Sequence, residues 1–303
     1  MPEGACPHTN FFQKSWCGGI LARMQPLSKL KRRLYLYGLI SVFILCLPVV
    51  LLYANGYRFK SGAGFVRTGS VIITVAEGGA IVSLDGEEVG TSGFLRHNFY
   101  VDNLAPGKHQ VVVLREGDRE WRRTLTVEQE LVTDAQAFLV PMSIVPAPLV
   151  DSAKAPTSTT TTPHATYESY RTAFLPPKKA ATSTPVVALH NPESEGLSVD
   201  DGNVLVRWTD AGIVPPSRYC PSPSVCVALI PVESGQQNTA RAEFFRGGVV
   251  YATKEGGVFL SEIDIRPEPL TVPLYPVRGA DFRIVDGHLI VKDGTALYEI
   301  TGL

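Results

Sequence analysis

Apolar positions along the chain fall into three regimes. From Leu34 to Ala54 the residues LYLYGLISVFILCLPVVLLYA form one run without a charged side chain. Beyond it, short stretches alternate apolar and polar positions. Val71, Ile73 and Val75 in GSVIITVAEGG show the two-residue period of a strand with one buried face. Between 143 and 196 the alternation gives way to Pro, Thr, Ser and Ala. Strand patterns broken by Gly turns occupy 66–142 and 197–303, so the predicted fold class is all-β. A small β-sandwich precedes a blade-like β domain, and one N-terminal helix stands ahead of both.

The Leu34–Ala54 run has the length of a membrane span, since roughly 20 helical residues cross the hydrocarbon core. Pro48 is compatible with a membrane helix, and Tyr35, Tyr37, Tyr53 and Tyr57 sit near the two ends of the run, where aromatic rings favour the interface. Lys29, Lys31, Arg32 and Arg33 abut its start, whereas Arg58, Lys60 and Arg67 are sparser beyond its end. The positive-inside rule then makes 1–33 a cytoplasmic tail and puts everything after Tyr57 outside the cytoplasm. A cleaved signal peptide would have a shorter apolar core and a small-x-small site, which Leu52-Tyr53-Ala54 does not offer. The expected localisation is the cell membrane, single-pass, with the lipid bilayer as a partner of a signal anchor. Residues 1–23 read as a short tail or an early start-site assignment, with Met24 as the natural start. Cys6 and Cys17 have no Cys or His pair at metal spacing around them.

In 66–142, AIVSLDGEEVG places Ile81, Val82 and Leu84 before Asp85-Gly86, a hairpin signal. Leu104-Ala105-Pro106-Gly107 is a second turn leading into HQVVVLREG, which pairs with WRRTLTVEQE. Five clusters carry a family resemblance. They are Gly69-x-Val71, the stretch Gly79-Ala80-x-Val82-x-Leu84-Asp85-Gly86, Gly90-Thr91, Leu104-x-Pro106-Gly107-x-His109-x-Val111 and Glu116-Gly117-x-Arg119-x-Trp121. In residues and spacing this segment resembles a PEGA domain. It departs where that family has Pro-Glu ahead of Gly-Ala and this chain has Glu77-Gly78. The resemblance implies an immunoglobulin-like module of a prokaryotic cell surface and an interaction role, without naming a ligand. Read from the residues alone, Trp121 is a plug in a core before it is a sugar platform.

The Pro/Thr/Ser-rich segment 143–196 reads as a semi-rigid spacer, with Thr157 to Thr162 open to O-glycosylation. Its island YESYRTAFLPP, with Tyr167, Tyr170, Phe174 and Leu175, has the means to dock back onto a domain. Within 197–303, RAEFFRGGVVYATKEGGVFLSEID and GADFRIVDGHLIVKDGTALYEI repeat one layout, and LSVDDGNVLVRW is a fainter copy. That period suits propeller blades, but two or three blades are too few to close a ring. The expectation is an open β stack, or one completed by a partner.

Composition narrows the function. A net charge of −1 gives no bulk attraction to nucleic acid. Cys220 and Cys226 flank a Pro-rich loop, and outside the membrane a disulfide is the better reading of the pair. No phosphate loop, HExxH or GxSxG is present, and Asp200-Asp201 precedes Gly202 as a turn does. No enzyme, cofactor or metal centre is expected. The expected function is a cell-envelope binding or scaffold protein presenting its β modules to a surface glycan, a wall polymer or an envelope protein. The alternative is a membrane-anchored signalling or assembly component whose distal domain binds a protein.

Overall fold

The structure is a computed structural model that describes residues 28–60, 64–154, 161–176, 194–210, 212–234 and 238–303. The N-terminal tail through Leu27, including Cys6, Cys17 and Met24, lies outside the described residues, as do 155–160 and 177–193 of the expected spacer. The described chain has two units, one ending at Asn55 that holds a single helix and a body from Gly56 to Leu303.

Helix α1 spans Lys29–Ala54, so it begins inside the basic block and takes in the whole apolar run. At 1.5 Å per residue its 26 residues extend about 39 Å. It is long and apolar enough to cross a membrane, and none of its residues is buried.

The body opens with a hairpin of β1 (Tyr57–Lys60) and β2 (Gly64–Arg67). The sandwich uses β3 (Gly69–Thr74), β4 (Ile81–Leu84), β5 (Glu87–Thr91), β6 (Asn98–Leu104), β7 (Gly107–Leu114), β8 (Trp121–Val127) and β9 (Val132–Gln136). One sheet has the order β6-β3-β9 with β3 and β9 parallel, and the other has the order β5-β4-β7-β8. Val71, Ile73 and Val75 face Val82, Leu84, Val111, Val113, Trp121 and Leu125 in one core, as the alternation predicts. Asp85 and Gly86 turn the β4–β5 hairpin with φ of 52° and 86°, the left-handed pair that such a tight turn requires.

After the sandwich come β10 (Val145–Pro148) and helix α2 (His164–Ala173), both inside the segment expected as a spacer. The first blade is β11 (Glu195–Asp200), β12 (Asn203–Trp208) and β13 (Leu229–Ser234). The second is β14 (Thr239–Phe245), β15 (Gly248–Thr253), β16 (Gly257–Glu262) and β17 (Thr271–Tyr275). The third is β18 (Asp281–Val285), β19 (His288–Asp293) and β20 (Ala296–Thr301), completed by β10 alongside β20. Pro146 and Pro148 are tolerated there because β10 is an edge strand, free of hydrogen-bonding demands on one side.

The second blade is buried on both faces. Val249 and Tyr251 of β15 pack toward the first blade with Val204, Val206 and Ile230, and Val250 and Ala252 pack toward the third with Phe282, Leu289 and Val291. The stack is finished at its ends. Tyr170 and Tyr167 of α2 and Phe174 just beyond it cover Ile290 and Leu297 on the outer face of the third blade. On the first blade, strand alternation puts Ser198 and Arg207 on the face away from the second. Part of the expected spacer is therefore integral to the fold, because its aromatic island shields an apolar blade face that would otherwise meet water.

Candidate functional site: the cleft between sandwich and blades

Four alternating residues of β8 point inward: Trp121, Arg123, Leu125 and Val127. Three are ordinary core residues. Arg123 has 0% exposure, and its partners come from the blade domain 139–144 residues away. Strand β8 lies at the edge of its sheet, where the opposing sheet is one strand narrower. The β16–β17 loop of the second blade enters there.

The guanidinium of Arg123 donates to Glu262 Oε2, and its Nη1 donates to the Pro267 carbonyl at 2.9 Å. Its Nε lies 3.8 Å from Asp264 Oδ2. Trp121 Nε1 donates to Glu262 Oε1 at 3.0 Å, and the Leu270 amide donates to Oε2 at 3.1 Å. Arg266 in turn donates through Nε and Nη2 to Asp264 at 2.6–3.0 Å, and reaches back to the Asp134 carbonyl on β9 at 2.9 Å. Sandwich and blades are thus joined by a buried ionic network. Burial pushes the Glu262 carboxyl above the usual carboxylate range, with the Arg123 charge acting against that rise. Trp121 is fully buried and holds Glu262, so it is a plug and not a sugar platform.

A second contact runs through the disulfide loop. Cys220 and Cys226 are bonded, closing the loop that carries Ser222 and Ser224. Ser224 Oγ donates to Glu128 Oε1 at 2.8 Å, and Ser217 Oγ donates to Asp134 Oδ2 at 3.3 Å. The hydroxyl of Ser224 first, and then that of Ser222, holds the Glu128 carboxyl below its usual range. In the chain-entropy picture, closing so short a loop restricts the unfolded chain by roughly 2 kcal/mol. Its larger consequence is to fix a docking loop against the sandwich.

Between these contacts lies a cleft of roughly 880 Å³. Its walls are charged. Arg115, Asp118 and Asp134 come from the sandwich, and Glu195, Arg218 and Arg246 from the blades. Arg115 pairs with Asp118 at 3.1 Å, and Arg218 with Glu195 at 2.8 Å. Glu195 also accepts from the Tyr219 hydroxyl at 2.8 Å; burial first, and then the Glu195 charge, push that phenol far up. The floor is the connecting segment Phe138–Leu139–Val140 with Leu260 and Ile263.

The residues singled out from sequence sit apart from this cleft, except the disulfide, which borders it through Ser217 and Arg218. Lys29, Lys31, Arg32 and Arg33 occupy the first turns of α1, and Leu34 and Ala54 lie within it, Ala54 as its last residue. Sequence reasoning missed Arg123 and Arg266, whose contacts with Glu262, Asp264 and Asp134 span two domains. The one local sign was an arginine at an inward position of WRRTLTV.

The fold and its joined domains define a two-part β body, a small sandwich and a stack of blade-like sheets, preceded by one apolar helix. Residues 68–142 match the PEGA domain family, over the segment that forms the sandwich and the stretch leaving it. No curated protein matches the chain.

Proposed function

We propose that the protein is a non-enzymatic envelope-binding module. Helix α1 anchors it in the membrane with Lys29, Lys31, Arg32 and Arg33 on the cytoplasmic side, and the Gly56–Leu303 body stands outside. The polar cleft binds a surface glycan or wall polymer. The observation that carries this reading is the cleft itself: its volume falls in the range of ligand sites, yet fixed planar donors and acceptors line it. Such walls suit a hydroxyl-rich ligand better than an apolar one. Arg115 and Arg218 each hold a carboxylate, an arrangement of positioned hydrogen-bonding groups more than of free acids and bases. The disulfide fits an oxidising compartment.

Retention of the detergent-solubilised full chain on purified envelope polysaccharide tests the reading. Arg246 lines the cleft, is exposed and among the described residues touches only the Leu303 carbonyl and the Phe245 ring, so Arg246→Ala leaves the blade core unopened. The expected loss of one charge-assisted hydrogen bond weakens retention by roughly ten- to a hundredfold. Equal retention of variant and wild type, or none of either, contradicts it.

A second reading, a signalling or assembly component with a protein partner, is favoured by Phe94 and Leu95. These neighbours in the β5–β6 loop are 93% and 92% exposed. Retention only on solubilised envelope protein supports that reading in place of the first.

A further inference from the structure

The segment that covers the third blade also gathers three metal-binding side chains. Asp151 follows β10, while His164 and Glu168 sit one turn apart on α2, where positions i and i+4 share a helix face. One ligand atom from each lies within 4.8 Å of the others. We propose that Asp151, His164 and Glu168 form a divalent-cation site, suited to Zn²⁺, that fastens α2 to the strand segment entering the third blade.

The donor set selects the class of ion. One imidazole with two carboxylates is a borderline set that suits Zn²⁺ and its first-row neighbours, whereas Ca²⁺ and Mg²⁺ favour oxygen alone. The geometry is nearly in place. Donor atoms around tetrahedral zinc stand about 3.4 Å apart, so small side-chain rotations bring this trio to coordinating distance. His164 Nδ1 is already 2.9 Å from Asp151 Oδ1, and the Ala153 amide fixes that same oxygen at 3.0 Å.

Access and charge agree with the assignment. The Asp151 side chain is 3% exposed and well anchored, while His164 at 57% and Glu168 at 33% open the site to solvent and to a bound water. Glu168 now pairs with Arg171 at 2.8 Å, a surface contact that a divalent cation displaces. The start of α2 carries a positive partial charge near half an electron, which opposes a cation, but the two carboxylates exceed it. The other His–carboxylate pairs described, His288 with Glu299 at 2.7 Å and His109 with Asp85 at 2.6 Å, have no third donor. Among the described residues, these three alone bring three His, Cys or carboxylate ligand atoms within 4.8 Å of one another.

Cobalt(II) titration of the detergent-solubilised full chain, followed in the visible absorption bands of the bound ion, tests the site. Wild type shows saturable binding that Zn²⁺ competes away, and Zn²⁺ raises its melting temperature. His164→Ala, at an exposed side chain, keeps the metal-free melting temperature and lowers affinity by more than about tenfold. Glu168→Gln behaves the same way, whereas His288→Ala binds like wild type. Equal binding by wild type and His164→Ala, or no saturable binding by either, overturns the site.

Discussion

Arg123→Met lowers the stability of the Gly56–Leu303 body by about 3–5 kcal/mol at neutral pH. Methionine fits the space, so the loss is electrostatic. Glu262 keeps Trp121 Nε1 and the Leu270 amide but is stranded without its counter-charge, and the Pro267 carbonyl loses its donor. Urea or thermal unfolding of the full chain measures the effect. The deficit depends on pH with a definite sign. Burial already raises the Glu262 pKa in the folded state, and removing Arg123 raises it further. A carboxyl with a raised folded pKa binds more protons folded than unfolded. Its contribution is fullest below the ordinary carboxylate range and is lost as pH rises through the folded pKa. The Arg123→Met deficit therefore narrows in acid, where Glu262 is neutral, and widens toward neutrality. The double variant Arg123→Met/Glu262→Met recovers part of the loss, short of all of it because Trp121 and Leu270 then lack an acceptor.

Gly257→Ala destabilises the second blade by about 3–5 kcal/mol, combining backbone strain with overpacking. Gly257 starts β16 at φ 93°, where L side chains are strained. A methyl there would also strike the Tyr275 carbonyl oxygen, with Val277 N at 2.6 Å and Val277 O at 2.9 Å. All three are backbone atoms and cannot rotate aside. Gly247 provides the comparison. It has a similar φ of 78° but open space where a Cβ would go. Gly247→Ala therefore carries only the conformational cost, about 1 kcal/mol. Denaturant unfolding of the two variants side by side separates crowding from strain; equal losses would mean that the β16–β17 pairing tolerates a side chain at Gly257.

What the sequence made legible was local. The period of Val71, Ile73 and Val75, the Asp85-Gly86 turn and the repeated blade layout all depend on residues a few positions apart, and the structure keeps each one. The resemblance clusters likewise fall on turns and inward positions of one sandwich. What stayed hidden depends on long-range partners. An arginine in β8 is unremarkable until the end of β16 and the loop after it, some 140 residues on, supply its carboxylate and carbonyls. The cleft is assembled from widely separated loops and strand ends, none with a motif. Helix α2 was masked by Thr- and Pro-rich surroundings, yet Tyr167, Tyr170 and Phe174 at spacings of three and four already trace one helical face. Strand β10 was concealed by its two prolines, which only an edge strand accepts.

One body, joined through Arg123 and fastened by the Cys220–Cys226 loop, is proposed to stand outside the membrane on α1. Labelling intact cells with a membrane-impermeant thiol reagent, with and without an impermeant reductant, tests that claim most directly, with labelled sites read by peptide mapping. The account predicts that Cys220 and Cys226 label from outside, and only after reduction. Labelling confined to lysed cells, and without reductant, would place the body in the cytoplasm with free thiols and contradict the account.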